Sequence, residues 1–293
     1  MKIYAFSLFI SLIFCQACYS MDWVALHTKA DKTTLPEALK SAEQSGGAPE
    51  ARYLLGLVYL NSHRDLEAYN LFLLLSREYP DEAGFKWGLA ESARRMHETG
   101  DAEKLLDEVL ARDGSFAPAL ISLAYIKYFK MDFLGSVRLA SKVIGLGQDK
   151  VDLSNYARAY AMYAGAKGML AHYGGIFSKA VDGLAVKTNL DKAQKLQPDS
   201  PAVLFGLGSY YLLAPAIAGG DKKKAEEYLE RALTVDPLFA DVYVRLAQLA
   251  KINGKKERYG SFMKKALEID PGNELALDTI SGKCDFICTG GKE

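Results

Sequence analysis

One spacing recurs at two distant places in this chain, and such a repeat constrains the fold more than any other feature of it. In 52-RYLLGLVYLNSHRDLEAYNLFLLLSREYP-80, Gly56, Tyr59, Ala68, Phe72 and Pro80 follow one another at offsets of 3, 9, 4 and 8. In 240-ADVYVRLAQLAKINGKKERYGSFMKKALEIDP-271, Ala247, Ala250, Tyr259, Met263 and Pro271 repeat the same offsets. Small residues let paired helix backbones approach, and bulky neighbours fill the gaps that remain. A proline then ends the second helix, because it cannot continue the hydrogen-bond ladder.

On these residues the chain resembles the tetratricopeptide repeat (TPR) family, whose unit of about 34 residues folds as two antiparallel helices. The resemblance implies an all-α protein, a right-handed α-solenoid of about six TPR-like helix-turn-helix repeats over residues 49–281. A step of 34 from Pro80 reaches Gly114, and another reaches Gln148, each in a glycine-containing helix stop. The following stops are Pro198, Pro237 and Pro271, so the fourth unit has 50 − 34 = 16 extra residues and the fifth 39 − 34 = 5. Enlarged turns are therefore expected at about 172–188 and 214–220. Gly174 and Gly175 open the first, and Ile176 to Val186 has spacing compatible with a short or extended helix. The second unit has its turn placed at Gly100-Asp101. Residues 22–48 are expected to give an N-terminal helix from about Pro36 to Gln44 and a linker. Residues 273–281 begin a capping helix, and the tail over 282–293 reads as loose.

The first twenty residues read as a signal peptide. Lys2 supplies a positive start, and Ile3 to Phe14 form an apolar run too short for the roughly 20 residues of a membrane span. Ala17 before Cys18 is similar to the end of a bacterial lipobox, which makes Cys18 the lipidation site. Cys15 departs from the aliphatic residue usual three places earlier, and ordinary cleavage after Ala17 or Ser20 is the alternative. Both readings give a secreted or envelope protein; the lipidated one makes it periplasmic, with membrane contact through a lipid anchor only. Cys284 and Cys288 then lie in a compartment that permits a disulfide; a small bridge or two free thiols are the two readings.

Basic and acidic side chains balance at 36 each, so no global field draws nucleic acid, and none is expected as a partner. His27, His63, His97 and His172 are scattered, with no HExxH pattern, and no phosphate loop or nucleophile elbow is present. No catalytic residue, metal site or cofactor is expected. Gly219-Gly220-Asp221-Lys222 could cradle an anion at a helix start, but the Asp221 carboxylate is itself a strong N-cap for those donors.

Aromatic stripes are the most specific binding signal. Tyr125 and Tyr128 share a helical stripe in the third unit, and Tyr156, Tyr160 and Tyr163 stand at i, i+4 and i+7 in the fourth. Opposite the latter lies a small-residue face of Ala157, Ala161, Ala164, Gly165 and Gly168, which suits close helix packing. The tyrosines point either into a neighbouring helix or into an inner groove, where ring and hydroxyl together suit a ligand.

Pro215, Gly219, Gly220 and Asp221, followed by Glu230-Arg231-Ala232-Leu233, resemble the T-component of TRAP-type transporters. That resemblance covers residues 203–270 and implies a periplasmic lipoprotein whose partner is a solute-binding protein. It also implies a small apolar or organic-acid ligand. The other readings are a structural scaffold for outer-membrane or cell-wall assembly, and an enzyme on a repeat scaffold.

Overall fold

The computed structural model describes residues 21–288. The signal peptide and the lipidation site at Cys18 lie outside the described residues. Over the described residues the chain is all-α, with fifteen helices and no strand. Two N-terminal helices, α1 (Trp23–Ala30) and α2 (Leu35–Gln44), precede six helix pairs. The pairs are α3 (Pro49–Asn61) with α4 (Asp65–Glu78), α5 (Ala83–Arg95) with α6 (Thr99–Arg112), and α7 (Ala117–Phe129) with α8 (Phe133–Leu146). They continue with α9 (Leu153–Tyr173) and α10 (Ile176–Leu196), α11 (Pro201–Leu213) and α12 (Lys222–Val235), and α13 (Ala240–Ile252) and α14 (Lys256–Ile269). A final helix, α15 (Glu274–Ser281), covers the open end.

Local chemistry sets these boundaries. Pro49, Pro118 and Pro201 stand in the first turns of α3, α7 and α11, where a missing N–H removes no helical bond. Asp132, Asp152 and Asn273 cap α8, α9 and α15 by accepting from backbone N–H groups three residues on. The turn inside each of the first three units passes through a left-handed residue: His63 at φ 55°, His97 at φ 66° and Met131 at φ 60°. These stand 34 residues apart, and Gly254 takes the same role in the sixth unit at φ 69°. The second unit therefore turns at His97. Gly100 and Asp101, expected there, lie in the first turn of α6.

Phe72 shows why the spacing of small and large residues matters. It is fully buried, and a Cβ placed on either Gly56 of α3 or Gly88 of α5 would run into its ring. One phenyl group thus fills the space between three helices of two successive units. Each unit alone leaves an apolar face uncovered, and stacking completes the core.

The sixteen extra residues of the fourth unit do not enlarge its turn. They lengthen both helices to 21 residues against 13 or 14 in the other pairs, with only Gly174 and Gly175 between them. At 1.5 Å per residue the pair projects about 10 Å beyond its neighbours. The five extra residues of the fifth unit do form a turn. Ala216–Ala218 make a single 3-10 turn, and Gly219 takes φ 91°. A Cβ on Gly220 would collide with the Ala214 carbonyl, and Asp221 N–H donates to Tyr211 O at 2.9 Å. Asp221 then accepts from Lys223 and Lys224 N–H at 3.0 and 3.1 Å. Its own carboxylate occupies the donors that an anion would need.

The start of the tail is packed, contrary to the loose segment expected from residue 282. Cys284 and Cys288 are joined by a disulfide, and Phe286 between them is buried. Asp278 accepts from the N–H groups of Asp285 and Phe286, which pins the loop onto α15.

Candidate functional site

The first helices of successive units line the inner side of the array, and the array bends until its ends meet. His63 Nε2 lies 2.9 Å from Asp236 Oδ1, and His97 Nε2 lies 2.8 Å from Asp270 Oδ1. His97 Nδ1 also reaches Glu274 Oε1 at 3.1 Å. Both histidine–aspartate contacts span 173 residues, and each partner set is offset by one repeat, 97 − 63 = 34 and 270 − 236 = 34. Units one and two are thereby clasped to units five and six. Burial opposes protonation of His97, but hydrogen bonds to Asp270 and Glu274 outweigh it and raise its pKa.

Inside this closed curve, α1 fills part of the concave side. Trp23 meets Tyr53, Phe85 and Phe116 edge-on at 4.9, 5.9 and 6.0 Å between centroids. His27 sits beside it, with Nε2 2.8 Å from the Tyr53 hydroxyl and Nδ1 3.3 Å from Asn155 Nδ2. Burial pulls the His27 pKa down to about 4, so the ring is neutral near pH 7. A helix of only 8 residues, α1 is too short to show itself by periodicity.

What α1 leaves open is a cavity of about 1280 Å³. Tyr125, Tyr128 and Phe129 of α7 line it, with Phe205 of α11, Phe239 just before α13, and Phe286 of the tail. Of the five tyrosines expected to line a groove, Tyr125 and Tyr128 do so. Tyr156, Tyr160 and Tyr163 do not. Tyr156 and Tyr160 pack edge-on at 5.3 Å, Lys192 of α10 sits over Tyr160, and Lys167 sits over Tyr163. The other side of α9 faces the cavity instead, through Ala161, Ala164, Gly165 and Gly168. Those small residues make room here, beyond any role in close packing.

The charged groups on the wall differ sharply in how they are satisfied. Burial opposes ionisation of Glu91, but Arg94 and Arg95 and a hydrogen bond from Ser122 hold its pKa down to about 2. Arg94 donates to it at 2.7 Å and lies 4.3 Å from the Tyr125 ring centre. Trp87 Nε1 donates to Ser122 Oγ at 3.0 Å, extending the network into the core. Arg245 is 4% exposed and spends its guanidinium on Gln248, Phe286 O and Ile287 O, leaving Nε without a hydrogen bond. Burial pushes the Asp241 carboxyl up to about 6, against the opposing hydrogen bond from Asn273 at 2.6 Å. Arg158 lines the same space, is exposed, and makes no ion pair among the described residues. The result is a cavity with aromatic walls and many charged groups, most of them already paired with one another.

The tetratricopeptide repeat model matches residues 216–237 and 240–273, which are the end of the fifth unit and all of the sixth. Over these two segments the chain is similar to tetratricopeptide repeats. No curated protein matches it as a relative. Among solved structures, a tetratricopeptide repeat protein from Parabacteroides merdae aligns over 88% of this chain and 96% of its own, at 14% identity and a TM-score of 0.52. The APC/C hetero-tetramer Cut9-Hcn1 aligns over 90% of this chain at 15% identity and a TM-score of 0.59. This chain spans about half, 49%, of that one. At such identities the likeness is one of fold.

Proposed function

We propose that this protein is a non-catalytic binding module of the bacterial cell envelope that holds an apolar organic acid in its central cavity. A solute-binding protein is its proposed partner, delivering or receiving that ligand. The observation that carries this reading is the clasped rim. An open polar groove would suit assembly through protein contacts alone, whereas the His63–Asp236 and His97–Asp270 contacts turn the concave side into a chamber. Its aromatic walls suit an apolar body, and the unpaired Arg158 suits an acid group. The likeness of Pro215, Gly219, Gly220 and Asp221 to the TRAP T-component turn supports the choice of partner. The envelope placement rests on Lys2, the Ile3–Phe14 run and Ala17-Cys18.

Titration with a fluorescent fatty acid tests the ligand class. Tyr125→Ala and Arg158→Gln are each expected to weaken binding about tenfold, the order of one lost cation or aromatic contact. Tyr160→Ala is expected to leave binding unchanged. Equal affinity in all three variants, or none in the parent, removes the ligand reading and leaves the assembly scaffold. The anchor is tested separately: the protein is expected to incorporate a labelled fatty acid and Cys18→Ser to abolish the label, and a parent chain that takes up none argues against lipidation.

A further inference from the structure

The residues that break the regularity of the array also bear the most exposed apolar side chains. On the first half of α10, Ile176 and Phe177 are each 88% exposed, Val181 65% and Leu184 77%. Ile217, at the tip of the turn before α12, is 99% exposed. Single exposed apolar residues are ordinary, but a cluster this large marks a contact surface. Packing does not require it, since Val186, Leu190 and Ala193 are the residues that α10 buries.

Both elements border α11, which packs on α10 and leads into the turn. Lys187 of α10 and Lys224 of α12 both sit over the Tyr211 ring, 5.9 and 5.4 Å from its centre. Lys179 and Gly183 of α10 line the same cavity as Pro215 and Ala218 of the turn. Phe177, Val181 and Leu184 stand at i, i+4 and i+7, so they form one stripe.

The charge beside the turn is mostly basic, with Lys222 and Lys223 standing ahead of the exposed Glu227. From Ile176 to Leu184 the exposed positions include one cation, Lys179, and no acid. Two of the acids nearby are engaged: Asp182 pairs with Lys167 at 2.7 Å, and Asp221 caps its own helix. Lys179, Lys222 and Lys223 are exposed and make no ion pair among the described residues. Apolar side chains rimmed by free lysines are the pattern of a helix lying in a membrane interface. No described helix is long and apolar enough to cross a bilayer. A second copy docked across a two-fold axis would set lysines against lysines.

We propose that the projecting end of α10 and the Pro215–Gly219 turn form a membrane-surface contact. Ile176, Phe177, Val181, Leu184 and Ile217 enter the headgroup boundary, and Lys222 and Lys223 meet anionic lipid headgroups. The contact is separate from any acyl anchor at Cys18 and independent of what the cavity holds.

Vesicle flotation of the full chain carrying Cys18→Ser tests this, because no acyl chain is then present. The protein is expected to float with phosphatidylglycerol-containing vesicles and much less with pure phosphatidylcholine. Phe177→Ser combined with Leu184→Ser and Ile217→Ser is expected to lower partitioning at least about tenfold. Lys222→Gln with Lys223→Gln is expected to lower it about fivefold per lysine. Thermal melts followed by circular dichroism are expected to stay put, as these side chains are exposed. Partitioning that ignores phosphatidylglycerol, or that either set of substitutions leaves unchanged, overturns the proposal. So does sedimentation in which the apolar substitutions dissociate a dimer while flotation is unaltered, since a second copy would then be the occupant.

Discussion

Phe72→Ala is expected to lower the free energy of unfolding by about 3–5 kcal/mol, the usual cost of emptying a fully buried phenylalanine site. The reason for the upper part of that range lies in its neighbours. The ring rests on Gly56 and Gly88, which have no side chains to move into the space, and Tyr53 already packs against it at 5.7 Å. Collapse would require two helices to shift together. A shift in the urea midpoint followed by far-ultraviolet circular dichroism measures the effect. Leu74→Ala, two residues away and 51% exposed, serves as the control and is expected to change stability by less than about 0.5 kcal/mol. If the two substitutions cost the same, the interlock of the first two units is not what the geometry indicates.

The second large effect is on shape. Replacing His63 and His97 together by glycine is expected to open the clasp, raising the radius of gyration in X-ray scattering and speeding hydrogen exchange at the rim. Glycine is the right replacement because both residues have positive φ, so the imidazoles are removed without strain in the turns. Each contact is half-exposed and worth no more than about 1 kcal/mol, so the fold is expected to survive their loss. The clasp also has a pH dependence of definite sign. The folded pKa of His97 lies above its unfolded value near 6.5, so its contribution is complete below that value and is lost as pH rises through the folded pKa. The chain is therefore expected to be most compact in mildly acidic solution and to loosen toward alkaline pH. Identical scattering on both sides of that window would remove His97 from the account.

The repeat units were legible because close packing demands particular residue sizes at particular places. Gly56, Phe72 and Pro80 could be read without knowing what they touch. The fourth unit was harder. Gly174-Gly175 signals a break, but nothing local says that the flanking helices will each run on for two further turns. The face of α9 stayed open between a neighbouring helix and a groove for a related reason. Alanine and glycine let a helix pack closely, and they also leave space when the opposite helices curve away. Which happens depends on the bend of the array, a sum of small rotations over many residues. The clasp belongs to the same class. Its 34-residue offsets, His63 to His97 and Asp236 to Asp270, were present in the sequence, but the histidines lacked any local ligand spacing. Only the accumulated curvature brings them to their aspartates.

That closure bears on how such a protein can change over time. Open helical arrays lengthen or shorten by whole units, because each unit meets only its neighbours. Here two contacts tie the same positions across 173 residues. A duplicated unit between them would carry Asp236 and Asp270 past His63 and His97 and break both contacts in one event. The number of units is thus held as the number of staves is held in a barrel. Variation is left to the lengths of individual helices and turns, and it is there, in α9, α10 and the segment before α12, that this chain departs from the repeat.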